Sequence, residues 1–76
     1  MELNDFVKDF ADQFEETDPQ EITASAAFHD LDEWDSLLAL AVLNMSERKY
    51  GVKITLEEMR HCVTVGDLFN VICNKK

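Results

Sequence analysis

The sequence predicts an all-α fold, a four-helix bundle in which the connection between the first two helices is long and the third helix is short. Apolar residues recur at helical spacing within residues 3–16 and again within residues 65–72. Helix-start signals stand at Asp35, Thr55 and Thr64. With 46% apolar residues, a chain of 76 residues can bury one small core, so we expect the whole chain to form a single domain.

The composition excludes several classes of function. Sixteen acidic residues against seven basic ones give a net charge of -9, which repels nucleic acids and anionic membranes and attracts basic partner surfaces. Cys62 and Cys73 lack the Cys-x-x-Cys spacing, so neither a zinc site nor a disulfide framework is indicated. The chain shows no signal peptide and no stretch long enough to span a bilayer. We therefore expect a monomeric cytoplasmic protein that is not inserted in a membrane.

The first helix is predicted over residues 3–16. Its apolar residues fall within one stripe about 100° wide and are Leu3, Phe6, Val7, Phe10 and Phe14. Pro19 follows it, and the residue before a proline avoids the helical region. The connection over residues 20–35 lacks a sustained period, and we expect Phe28 and Leu31 to anchor it to the core.

The end of this connection is strongly acidic. Its four carboxylates are Asp30, Asp32, Glu33 and Asp35. A calcium-binding loop that starts at Asp30 would need glycine at position 35 and glutamate at position 41, where the chain has Asp35 and Ala41. We therefore predict no metal site in this cluster.

The second helix is predicted from Ser36 to Tyr50, and Gly51 is placed to end it. Asp35 can cap its first free backbone N–H groups, which leaves Ser36 in the first turn beside the positive end of the helix dipole. A phosphate attached to the Ser36 hydroxyl would lie among unpaired N–H donors that suit an anion. Judged on these residues alone, the commoner explanation is that Ser36 is simply another capping residue.

The two faces of the second helix differ in what they carry. The residues assigned to the core are Ala39, Val42, Leu43, Ser46 and Tyr50. The opposite face carries Leu37, Leu38, Ala41, Asn44, Met45 and Arg48. A solvent-exposed face seldom presents so many apolar side chains, so that face is either buried as well or a docking patch, and we favour a docking patch. The predicted partner-binding residues are Leu38, Ala41, Met45, Glu47 and Arg48.

Two shorter helices complete the predicted fold. The third begins with a capping box of Thr55 and Glu58 and ends near residues 61–62. Its inward residues are expected to be Leu56 and Met59. Residues 64–67 repeat the capping pattern, with an aspartate in place of the usual glutamate. The expected inner stripe of the fourth helix is Val65, Leu68, Phe69 and Ile72.

Three motifs at these spacings resemble one known family. The chain is similar to acyl carrier proteins from about Phe28 to Ile72, in the motifs Asp35-Ser36-Leu37, Tyr50-Gly51-Val52-Lys53-Ile54 and Thr64-Val65-Gly66-Asp67-Leu68. The resemblance implies that Ser36 carries a 4'-phosphopantetheine arm from coenzyme A, with Asp35 and Leu37 completing the attachment motif. It also implies an acyl or aminoacyl group held as a thioester and delivered to partner enzymes. The implied partners are a phosphopantetheinyl transferase and acyl-loading and acyl-accepting enzymes with basic docking surfaces.

The chain departs from the usual pattern of that family near Ser36. Members that serve fatty acid synthesis commonly have a small residue where this chain has Trp34, and acidic residues along the outward face of helix 2. Here those outward positions hold Leu38, Ala41 and Arg48. Only Glu47 is acidic there. The stretch Glu33-Trp34-Asp35-Ser36-Leu37 is more similar to discrete carriers of specialised pathways, and fatty acid, polyketide and surface polysaccharide synthesis stay open as alternatives.

An enzyme is not expected. Ser36, His61 and Asp35 are the residues of a conceivable triad, but four short helices leave little room for an oxyanion hole or a substrate pocket. The alternative to a carrier is an unmodified acidic helical adaptor that binds a partner protein through the apolar face of helix 2. The mass of the chain after treatment with a phosphopantetheinyl transferase and coenzyme A separates the two functions.

Overall fold

The computed structural model describes residues 2–75, which form four α-helices and two short 3-10 turns. The α-helices are α1 (Leu3–Ala11), α2 (Ser36–Tyr50), α3 (Leu56–His61) and α4 (Val65–Lys75). The 3-10 turns lie in the long connection between α1 and α2 and are Pro19–Glu21 and Phe28–Asp30. Helix α1 packs on α4, and α2 packs on α3. The described residues contain no β-strand, and the predicted all-α four-helix fold is confirmed.

The first helix ends earlier than predicted. Helix α1 stops at Ala11, not at Glu16. The helical pattern ends because the N–H groups of Gln13 and Phe14 donate three residues back and not four, and the N–H groups of residues 15–17 then donate to the Glu33 carboxylate. A tight turn, in which the N–H of Phe14 donates to the carbonyl of Ala11 at 3.0 Å, still directs Phe14 into the core.

An aromatic cluster fills the core between α1 and the long connection. Phe6, Phe10 and Phe28 are fully buried, and Phe10 meets Phe28 edge-on with ring centroids 5.6 Å apart. Rings in this geometry attract each other through their quadrupoles, which adds to the stabilisation from the apolar area they bury. Phe28 is therefore confirmed as an anchor of the connection, while Leu31 packs on the same core and is only partly buried.

The predicted ends of the other helices are confirmed and have local causes. Gly51 ends α2 with a φ of 67°, in the left-handed region that favours glycine. Thr55 and Glu58 form the expected capping box of α3. At the start of α4, the Thr64 hydroxyl accepts the N–H of Asp67 at 3.1 Å, and the Asp67 carboxylate accepts the N–H of Thr64 at 3.1 Å.

The inner stripe of the last helix follows the prediction, and that of the third helix follows it in part. Val65, Leu68 and Ile72 are fully buried, and Phe69 packs on the core at its edge. Met59 is buried as predicted. The prediction that Leu56 faces inward is wrong, because this side chain is 52% exposed. Leu56 is the first residue of a six-residue helix, and a helical side chain there lies over the preceding turn and not over the core.

The buried face of α2 is rotated from the predicted one. The prediction that Leu38 and Met45 are exposed is wrong, since they are 7% and 0% exposed. The buried residues of α2 are Leu38, Ala39, Val42, Met45 and Ser46. At 100° per residue this stripe is turned by roughly 60° from the predicted one. The rotation buries two long apolar side chains and leaves Leu43 and Tyr50 at the edge of the core, where the Tyr50 hydroxyl binds Asp9.

Ser46 is a fully buried polar residue on the core face of α2, as predicted. Its hydroxyl donates to the carbonyl of Val52 at 2.9 Å, so the buried group has a partner. The same bond holds the segment after Gly51 against the helix. Val52 and Ile54 are then buried on either side of the exposed Lys53.

Three further properties bear on function. Within residues 2–75, no helix combines the length and the apolar character needed to cross a membrane. In the same part of the chain, no cluster of acidic, histidine and cysteine side chains is placed to hold a metal ion. Both cysteines are free, with Cys62 buried and Cys73 exposed.

Candidate functional site

Ser36 is the first residue of α2 and is exposed to solvent. Asp35 precedes it with an extended backbone, and its carboxylate accepts the N–H of Leu38 at 2.8 Å, so the predicted cap is confirmed. Helix geometry leaves the other amides of the first turn, those of Ser36 and Leu37, without intrahelical partners. An anion attached to the Ser36 hydroxyl would thus lie at the positive end of the helix beside open donors.

The exposed surface of α2 begins at this serine. Leu37, predicted as part of the attachment motif, is 78% exposed directly beside Ser36, and Leu40 follows at 50%. Ala41 is half-buried, while Glu47 and Arg48 are exposed further along the helix. The exposed residues at helical spacing from the serine end are Leu37, Leu40, Asn44 and Glu47. This row replaces the predicted one, because Leu38 and Met45 lie in the core.

An open pocket of about 330 Å³ lies beside Ser36, between the start of α2 and α3. Its walls are formed by His29, Trp34, Asp35, Ser36, Ala39, Leu56, Met59 and Arg60. Leu56, exposed at the start of α3, forms an apolar part of the wall. Arg60 supplies a cationic group within the same pocket as the serine.

His29 is held in this wall by the end of α3. Its Nε2 atom lies 3.2 Å from the carbonyl oxygen of Met59 and 3.1 Å from that of Cys62. Both partners only accept hydrogen bonds, so Nε2 carries a proton and donates. His29 therefore joins the connection before α2 to α3, next to Ser36.

Glu33, three residues before Ser36, ties the connection to the chain just after α1. One carboxylate oxygen accepts the N–H of Glu15 at 2.7 Å. The other accepts the N–H of Glu16 at 3.0 Å and both the N–H and the hydroxyl of Thr17 at 2.8 Å. The hydrogen bond from the Glu15 amide, reinforced by the others, lowers the pKa of Glu33 from 4.5 to about 2. Glu33 is therefore a structural anion and not simply a member of an acidic surface.

Trp34, next along the chain, continues the same attachment through its ring. The indole stacks on Phe10 and Phe14, with ring centroids 5.9 and 6.2 Å apart. It meets Phe28 edge-on at 4.9 Å. One side of Trp34 thus packs on the aromatic core while the residue also contributes to the pocket beside Ser36.

Sequence reasoning found part of this site. Ser36, Asp35 and Leu37 are adjacent in the chain, so a local motif was enough to identify them. His29 and Arg60 reach the site from the long connection and from α3, and no spacing in the sequence brings them to Ser36, whereas Trp34 lies two residues before it. A signal for Leu40 was present, because it lies three positions after Leu37 on the same helical face.

Comparison with known proteins identifies the family to which the chain belongs. No curated protein sequence matches it. A family model described as a phosphopantetheine attachment site matches residues 5–72, which include all of α2 and α3 and the serine-centred motif. That span is most of the chain, and domains of this family attach 4'-phosphopantetheine covalently. The chain therefore belongs to the family of phosphopantetheine-binding carrier domains.

Proposed function

We propose that this protein is an acyl carrier protein in which Ser36 is the attachment residue for 4'-phosphopantetheine. The observation that carries the proposal is an exposed hydroxyl on the first residue of α2, within a chain that matches the attachment-site family over residues 5–72. Two further serines occur in the chain, Ser25 and Ser46. Ser46 is fully buried with its hydroxyl bonded, and Ser25 lies outside any helix.

The residues around Ser36 suit an attached phosphate. The serine oxygen becomes the ester oxygen, and the open amides of the first turn of α2 supply donors for the anionic group. Asp35 takes the amide of Leu38 and so fixes the turn in which Ser36 lies. Attachment requires a separate phosphopantetheinyl transferase and coenzyme A, because the chain itself offers only the hydroxyl. When bound, the arm supplies a thiol that holds an acyl or aminoacyl group as a thioester.

The pocket beside Ser36 is the proposed resting place of the part of the arm nearest the protein. Its apolar walls come from Trp34, Leu56 and Met59, and its polar walls from His29 and Arg60. Such mixed walls suit a tether that carries amides along an alkyl backbone. Tethering raises the local concentration of the cargo at each enzyme that docks on the carrier.

The proposed docking surface is the exposed row of α2, which includes Glu47, extended by Ala41 and Arg48. Leu37 and Leu40 give it two apolar contacts next to Ser36. The net charge of -9 favours acyl-loading and acyl-accepting enzymes with basic docking surfaces. In this proposal the chain performs no catalysis of its own and is recognised by several enzymes in turn.

The test is the intact mass of the protein after incubation with a phosphopantetheinyl transferase and coenzyme A. The wild-type chain should gain one phosphopantetheine group, and Ser36→Ala should gain none while keeping its helical circular dichroism. Ser25→Ala is the matched control and should be modified like the wild type. If the wild-type chain gains no mass, the carrier function is wrong and an unmodified adaptor that binds through α2 becomes the better explanation. Modification that persists in Ser36→Ala would place the arm elsewhere.

A further inference from the structure

The side chain of Glu33 connects two segments that are far apart in the sequence and close to Ser36 in space. Residues 15–17 follow α1, and Glu33 begins the short segment that leads into α2. All the hydrogen bonds between them converge on one carboxylate group. We propose that Glu33 is a positioning residue for the modification of Ser36, because it fixes the segment that presents this serine to the transferase. The inference rests on the proposed carrier function.

The contact is unusually complete for a side chain at the protein surface. Three consecutive backbone N–H groups and the Thr17 hydroxyl all point at the two oxygens, at 2.7 to 3.0 Å. Hydrogen bonds to an ionised acceptor are shorter and stronger than those between neutral groups. These amides lie just beyond the turn that closes α1, so the carboxylate holds the chain at the point where α1 gives way to the connection.

Only two residues, Trp34 and Asp35, separate Glu33 from Ser36. Trp34 stacks on the rings of Phe10 and Phe14, and Asp35 caps the first turn of α2. Glu33 and Trp34 therefore have partners in α1 or just after it, and Asp35 has its partner in α2. With the Glu33 contacts removed, the aromatic stacking and the cap still hold the helix, but the chain that enters it loses its polar attachment.

A second carboxylate provides a matched comparison at the other end of α2. Asp9 of α1 accepts the Tyr50 hydroxyl and pairs with Lys49 at 3.0 Å. Helix α2 has 15 residues and is about 22 Å long, so this contact lies a full helix length from Ser36. Removing the Asp9 contacts weakens the attachment of α1 to α2 without touching the segment before Ser36.

Kinetics distinguish a positioning role from a purely structural one. If a substitution merely unfolds part of the population, the transferase meets fewer competent chains, so the apparent KM rises in proportion and kcat does not change. If the substitution leaves the bundle folded but misplaces Ser36 in the docked complex, kcat falls, because small misplacements of a reacting group slow the chemical step strongly. The exposed row of α2 is unchanged in such a variant, so docking and KM are retained.

The experiment measures kcat and KM of a phosphopantetheinyl transferase for the wild-type chain, Glu33→Ala, Glu33→Gln and the control Asp9→Asn. All are assayed at a temperature at which circular dichroism shows them folded. We expect kcat to fall about tenfold for Glu33→Ala, with KM within about twofold of the wild type. Glu33→Gln keeps one acceptor oxygen, so its kcat should lie between those of the wild type and Glu33→Ala. Asp9→Asn should leave kcat unchanged.

The possible outcomes separate the two claims. A wild-type chain that is not modified overturns the carrier function and, with it, the role of Glu33. A modified wild-type chain together with an unchanged kcat in Glu33→Ala overturns the positioning role alone, as does a rise in KM without a fall in kcat. Should Glu33→Ala fail to fold, Glu33→Gln and Thr17→Val decide, because each removes only part of the contact. An unchanged kcat in both of these variants contradicts the proposal.

Discussion

At its Tyr50 end, α2 is tied to α1 by its own side chains, whereas at its Ser36 end it is held by the chain segment that precedes it. Lys49 and Tyr50 both bind Asp9 of α1, and Gly51 closes the helix in the left-handed conformation. At the other end, the attachment is made by Glu33 and Trp34, which lie before the helix.

The difference shows how a rigid helix can leave its first two residues exposed. If Ser36 or Leu37 anchored α2, neither would be available to a partner. Because the preceding segment makes the attachment, Leu37 and Leu40 stay exposed while the helix beneath them is fixed. A carrier needs this combination, since its attachment residue must be both accessible and placed in a defined position.

The largest expected effect comes from the boundary between the exposed and buried faces of α2. Leu38→Asp should lower the free energy of unfolding by about 4 kcal/mol, because it removes a buried leucine and places an unpaired carboxylate in the core. Leu40→Asp, two residues along on the exposed side, should cost about 0.5 kcal/mol. Urea unfolding of the two variants measures the difference. Equal losses would mean that the two faces are not distinct.

A smaller effect is expected at the Tyr50 end. Tyr50→Phe keeps the ring that packs on Phe6 but removes the hydroxyl that binds Asp9, and should lower the free energy of unfolding by about 1 kcal/mol. Lys49→Gln removes only a partly exposed ion pair and should cost about 0.3 kcal/mol. Neither change should alter the rate of the proposed modification of Ser36. A slower modification in Tyr50→Phe would show that the two ends are coupled through the helix.

The smallest effects are expected in the pH dependence of the melting temperature. The pKa of Glu33 is lowered in the folded chain, so its contribution is present above about pH 4.5 and is lost as the pH falls toward about 2. Burial, followed by the bond to Asp9, raises the pKa of Tyr50, so that contribution is present below pH 10.0 and is lost as the pH rises above it. Acid should therefore weaken the Glu33 contacts at the Ser36 end, and alkali should weaken the contact of Tyr50 with Asp9 at the other end.

Each variant gives its own check of this pH dependence. In a plot of melting temperature against pH, Glu33→Gln should reduce the fall of the melting temperature in acid. Tyr50→Phe should reduce its fall in alkali. Because Asp9 also has a lowered pKa, caused first by its bond to the Tyr50 hydroxyl, Asp9→Asn should reduce the fall in acid in part. If the melting temperature falls equally in acid for Glu33→Gln and the wild type, the Glu33 carboxylate is not bonded as described.

What the sequence predicted correctly was local. The capping boxes at Thr55 and Thr64, the glycine that ends α2 and the position of Ser36 depend on residues within four positions of one another. Such contacts form at the end of a helix whatever the rest of the fold is, so a short stretch of sequence is enough to predict them. The periodic stripes of α1 and α4 were likewise clear, because each of these helices has one apolar face.

What the sequence did not predict depends on contacts between distant segments. The chain just after α1 is held by Glu33, which lies 16 to 18 positions away from its partners. The buried side of α2 was misassigned because this helix has apolar residues all around, so its pattern does not determine which side faces the core. Leu38 and Met45 are buried because of the shape of the core, to which α1, α3 and α4 contribute.

The position of Trp34 has a spectroscopic consequence. The chain contains one tryptophan and one tyrosine, and they lie near opposite ends of α2. Indole emission therefore reports the aromatic core together with the pocket beside Ser36, and phenol emission reports the contact with Asp9. Selective excitation of the indole can follow the arrival of an arm or a partner at the serine without any added label, while energy transfer from the phenol monitors whether the helix between the two chromophores is intact.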